Sequence, residues 1–140
     1  MQERRWPMCY RETVSGGLFE ATLLGRCRAP YRGKVEWQVD AELVRRLQPP
    51  RKSGIIVALE REFERRGLPA RFFTAVGSGL DRHYGTDGWF ELWGCVVTID
   101  VTINLNKFDT AADVLIHEGE FEKPSMLAAR IAAVFVAKLH

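Results

Sequence analysis

The sequence predicts an α+β fold: a mostly antiparallel or mixed sheet of about four to six strands, backed by two main helices. Three stretches carry that expectation. Residues 84–106, YGTDGWFELWGCVVTIDVTINLN, hold two alternating runs on either side of a Trp93-Gly94 turn, the pattern of a β-hairpin. Residues 54–66 place Ile55, Ile56, Leu59 and Phe63 at helical spacing between a Ser53 cap and a Gly67 stop. Residues 124–139 open on Pro124 and carry Leu127, Ala128, Ile131, Ala132, Val134, Phe135 and Val136. So apolar a helix is either sandwiched in a core or used in a dimer contact.

Taken in order, residues 1–15 read as irregular, with Pro7 breaking any early helix. Residues 17–25 (GLFEATLLG) and 34–39 (KVEWQV) read as strands joined through the APYRG turn at 29–33. Asp40 is an expected N-cap for a short helix over 41–47, which Pro49-Pro50 closes. Together these make residues 1–50 an N-terminal extension that lengthens or covers the main sheet, and 51–140 the core of a single domain. Beyond the 54–66 helix, RFFTAV at 71–76 reads as a strand and GSGLDRHYGT at 77–86 as a glycine-rich loop. After the hairpin, a further strand is expected over 111–117.

Composition narrows the classes of function. The chain of 140 residues is 46% hydrophobic and 27% charged with a formal net charge of +2, ordinary for a globular protein. That charge permits nucleic-acid binding without arguing for it. Cys9, Cys27 and Cys95 are odd in number and show no CxxC spacing, so neither a disulfide framework nor a thiolate zinc site is expected, and a reducing cytoplasm fits. No apolar run resembles a signal peptide, and Arg130 and Lys138 interrupt the longest apolar segment, so no membrane span is expected.

The hairpin carries the chemistry. A loop centred on Trp93-Gly94 pairs Leu92 with Cys95, Phe90 with Val97 and Trp89 with Thr98, and puts Phe90, Leu92, Val97 and Ile99 on one face. The same register sets Asp87 opposite Asp100, where like charges repel. Such a pair suggests a cation, a shared proton or a basic ligand. The bland alternative is that Asp87 caps a turn and Asp100 faces solvent. Trp89, Glu91 and Trp93 share the Asp87 face, either to stack on bases or to lie beneath the N-terminal segment or the last helix. Arg82 and His83, in the loop before Asp87, are candidates to meet phosphate. His117, Glu118, Glu120 and Glu122 lack HExxH spacing and read as an acidic surface turn.

The helix–strand–strand–strand order and the Gly-Thr-Asp pattern resemble the PD-(D/E)xK nuclease superfamily, the restriction-endonuclease-like fold, over about residues 53–107. The resemblance implies a magnesium- or manganese-dependent phosphodiesterase acting on DNA or RNA. It casts Asp87 and Asp100 as metal ligands, with the backbone carbonyl of Val101 as a third and Glu60, failing that Glu62, as the first-helix acid. The motif lysine position holds Thr102, which offers a hydroxyl to nucleic acid but no charge. Lys107 takes the lysine role if its loop folds back. The family's second helix is replaced by the 111–117 strand. A reading of a different class also follows: a non-enzymatic accessory or immunity-type module that binds a protein partner, or itself, through the Trp89/Trp93 surface or the C-terminal helix.

Overall fold

Alternation between residues 71 and 102 builds the centre of the molecule. The computed structural model describes residues 19–29, 33 and 35–140. In it β1 (Arg71–Thr74), β2 (Gly88–Leu92) and β3 (Cys95–Thr102) form an antiparallel meander, and β4 (Val114–His117) joins β3 in parallel. The fold is α+β, with a mixed four-stranded sheet ordered β1-β2-β3-β4. Leu92 faces Cys95, Phe90 faces Val97 and Trp89 faces Thr98, the register that the alternation requires. Trp93 (φ 51°) and Gly94 (φ 79°) both turn left-handed, the geometry of a type I′ hairpin loop.

The apolar face of the hairpin lies against α3 (Gly54–Arg65) and α5 (Pro124–Leu139). Phe63 is central there, its ring 5.1 Å from Phe90 and 6.3 Å from Phe135. The Ser53 hydroxyl caps α3 by accepting the Ile56 N–H at 3.3 Å, and Gly67 leaves it with φ +75°. α5 turns Leu127, Ala128, Ile131 and Phe135 into this core, while Met126, Val136 and Leu139 stay exposed.

The opposite face is covered by α2 (Trp37–Arg46) and the short α4 (Gly79–Tyr84). Trp89 is fully buried between them, 5.6 Å from Trp37 and stacked 5.5 Å from Phe73. Its indole N–H donates to Glu91 at 2.8 Å. The N-terminal segment therefore covers this surface, and Trp89 is no platform for bases.

Two expected strands are helices. Residues 19–24 form α1, with Phe19, Leu23 and Leu24 packed on the main core. A short apolar run fits both periods, and the i, i+4 contact with the core decides it here. The 37–39 run begins α2, because Trp37, Ala41 and Val44 at i, i+4 and i+7 meet Trp89, whereas Val39 is 48% exposed. Asp40 lies inside α2 rather than at its cap, which is Glu36. The expected irregular segment 1–15, residues 17 and 18 of the first strand, residue 34 of the second and most of the 29–33 turn lie outside the described residues. The 77–86 loop contains α4, capped by Ser78, whose hydroxyl accepts the Leu80 N–H at 3.2 Å, and ended by Gly85 at φ 62°. Between the parallel pair, residues 103–113 make the crossover without a helix and fold back over the end of β3.

Candidate functional site

The site forms where β2 begins and β3 ends. Asp87 immediately precedes β2. Its N–H donates to the Ile99 carbonyl at 2.9 Å although Gly88 is the residue paired with Ile99. Two residues thus face one, as in a β-bulge. Gly88 makes the arrangement possible: a Cβ there would stand 2.5 Å from the Phe72 ring and 2.7 Å from the Phe73 carbonyl oxygen. Asp87 is consequently one residue beyond the ladder, not squarely opposite Asp100. Its carboxylate turns along the sheet and accepts the Val101 N–H at 2.7 Å.

Asp87 meets two other acids. α1 supplies Glu20 and the first turn of α4 supplies Asp81, and one carboxylate oxygen from each of the three lies within 4.8 Å of the others. Asp81 also accepts the Gly77 N–H at 3.1 Å. Asp87 is 3% exposed. Burial, then the Glu20 charge, push its carboxyl up to about 10, against the pull of the Val101 N–H. Burial, then the charges of Asp81 and Asp100, push Glu20 up to about 7, while Lys107 and a hydrogen bond from Asp87 act against the rise. At neutral pH the metal-free cluster therefore holds a proton at Asp87, shared with Glu20.

Asp100, 8% exposed, has its own partners. Lys107 Nζ and the Thr110 hydroxyl each donate to its Oδ2 at 2.9 Å. Burial alone would lower the Lys107 pKa, but the bond to Asp100 and the charges of Asp100, Asp87 and Asp109 outweigh it, and the ammonium titrates above its ordinary value. The loop is fixed at that point, since His117 Nε2 lies 2.9 Å from the Lys107 carbonyl oxygen.

The fold thus brings Asp87, Asp100, Val101 and Lys107 together, and the 103–113 loop carries Lys107 to Asp100. Val101 enters through its N–H. Glu60 does not join them: its carboxylate is held by Lys52 and by the Phe72 N–H at 2.8 Å, on the β1 side of α3. Thr102 closes a local turn, its hydroxyl accepting the Asn104 N–H at 3.0 Å. Arg82 and His83 occupy the last turn of α4, directly after Asp81. Sequence reasoning missed Glu20 and Asp81 as site residues. Asp81 was visible in the loop leading to Asp87. Glu20 was hidden by the strand reading of 17–25.

Three carboxylate oxygens at this spacing, two of them on raised acids, are a donor set that could hold a hard cation. Among the described residues no other group of three acids, histidines or cysteines converges in this way. No protein-family model, curated protein or solved structure matches this chain.

Proposed function

We propose that the protein is nuclease-like, binding DNA or RNA and hydrolysing phosphodiester bonds with a divalent metal ion, Mg2+ or Mn2+. The observation that carries this reading is the convergence of Glu20, Asp81 and Asp87 beside an Asp100–Lys107 pair. The helix–strand–strand–strand order of α3, β1, β2 and β3, interrupted only by α4, is in keeping with it.

Glu20, Asp81 and Asp87 would hold the cation, with Asp100 and the Val101 carbonyl beside them as the family resemblance implies. A cation held there would supply Lewis-acid polarisation of a scissile phosphate and acidify an attacking water. Asp100, itself held by the Thr110 hydroxyl, positions Lys107, whose charge stabilises negative charge developing on the phosphate, in place of the lysine missing at Thr102. Metal loading must displace the proton at Asp87, so affinity rises with pH. Incubation with plasmid DNA and RNA in Mg2+ or Mn2+, with EDTA controls, tests the reading. Expected is metal-dependent cleavage that Asp87→Ala abolishes and Lys107→Ala lowers by roughly a hundredfold or more. Absence of cleavage on both substrates, or full cleavage by Asp87→Ala, overturns it.

A protein-interaction role is the second reading. It is favoured by Trp93, 66% exposed at the hairpin tip, and by the exposed Met126, Val136 and Leu139 of α5. A concentration-dependent dimer mass that a Val136→Glu change abolishes would support it, and a monomer at every concentration would speak against self-association.

A further inference from the structure

The 103–113 crossover presents two large apolar side chains to solvent, Leu105 at 75% and Phe108 at 79% exposure. Such side chains usually mark a floppy tip, but this segment is held. Lys107 Nζ and the Thr110 hydroxyl bond to Asp100 on either side of Phe108, the Lys107 N–H donates to the Asn104 carbonyl at 3.1 Å, and His117 Nε2 meets the Lys107 carbonyl. The Phe108 ring lies 6.1 Å from the His117 ring at 53°, leaving most of its surface open. Polar bonds rather than apolar burial therefore fix the backbone that carries this exposed aromatic ring, next in sequence to the lysine of the acid site.

We infer that Phe108 is a stacking platform for an unpaired nucleobase whose phosphate lies at Lys107, so that the ligand is single-stranded nucleic acid. This rests on the nucleic-acid reading of the site above. A base offers its face to a protein ring only when it is unstacked from its neighbours, as in a single strand or a flipped nucleotide. Adjacent residues carrying a cation and a ring match the adjacent phosphate and base of one nucleotide. Lys107 is already bonded to Asp100, and Glu20, Asp81 and Asp109 add negative charge that opposes phosphate. Binding therefore requires a divalent cation as well as the ring.

The test is fluorescence anisotropy with a labelled single-stranded oligothymidine and a labelled duplex of equal length, with Ca2+ replacing Mg2+ and with EDTA. Wild type should bind the single strand more tightly than the duplex, and only with the cation. Phe108→Ala should weaken single-strand binding about tenfold, and Phe108→Trp should retain it. Melting curves of both variants should match wild type, since the ring is exposed. Equal affinity of Phe108→Ala and wild type, preference for the duplex, or no binding to either probe overturns the inference. Single-strand binding that depends on Phe108, without cleavage in Mg2+ or Mn2+, leaves the inference standing and sinks the hydrolytic reading. Cleavage with affinity indifferent to Phe108 does the reverse.

Discussion

At the tip of the β2–β3 hairpin, Trp93 and Gly94 reverse the chain with their own backbone angles, φ 51° and φ 79°, and the Trp93 side chain is left 66% exposed. At its root, Asp87 and Asp100 are buried and depend on groups from α1, α4 and the crossover loop. One end is closed by local geometry, the other by charges brought from distant segments. Closing a turn needs no site. Burying two carboxylates at one end of a sheet costs several kcal/mol unless they are bonded, protonated or bound to a cation; both are bonded here, and burial pushes the Asp87 carboxyl up to about 10.

The largest effect expected is at the root. Gly88→Ala forces a methyl into the Phe72 ring and the Phe73 carbonyl and should cost about 3 kcal/mol in urea unfolding, displacing Asp87 with it. A loss under about 0.5 kcal/mol would show that the bulge is not tightly held.

Asp87→Asn acts in the opposite direction. The folded carboxyls of Asp87 and Glu20 titrate near 10 and 7, above their ordinary 3.8 and 4.5, so the folded protein binds more protons than the unfolded chain across that range. The contribution of these two groups to the stability of the metal-free protein is then greatest below the ordinary carboxylate range. It falls as pH rises, through the Glu20 window first and on toward that of Asp87. Asparagine still accepts from Val101 and cannot ionise. In EDTA at pH 8 the variant should therefore be more stable by roughly 2 kcal/mol, with a shallower pH slope. A lower melting temperature than wild type at that pH would contradict the repulsion. Asp100→Asn should bring no such gain, because Lys107 and Thr110 already offset its charge.

Lys107→Ala removes that offset. The lysine is partly exposed, so the cost should stay below about 1 kcal/mol. The clearer readout is faster proteolysis within residues 103–113. Smallest is Trp93→Asn at the tip, where an Asn-Gly pair suits two left-handed residues and should add about 0.5 kcal/mol. Cation affinity should be unchanged in this variant and altered in Asp87→Asn, which separates the two ends.

The same contrast explains what could be read from the sequence. The hairpin register, the Ser53 cap and the α5 stripe follow from short-range periodicity and were legible, whereas the return of Lys107 to the acid site entered only as a condition, because nothing local says where the 103–113 loop folds. Trp89 was read as a candidate for base stacking because alternation shows which side chains share a face, but not what covers that face. α2 covers it, and its Trp37-Ala41-Val44 stripe was concealed by an alternating Val35-Trp37-Val39 run. Glu20 was lost in the same way, since a short apolar stretch satisfies both periods until it docks. Glu60 looked like the acid of the first helix, yet the Phe72 N–H and Lys52 hold it at the other side of α3.

The acids at the root are proposed above as a cation site. A crystal soaked in millimolar Mn2+ and measured at the manganese absorption edge tests it most directly. One anomalous peak is expected within coordination distance of Glu20, Asp81 and Asp87, absent in Asp87→Asn. No peak there in the wild-type crystal, or the same peak in Asp87→Asn, would contradict it.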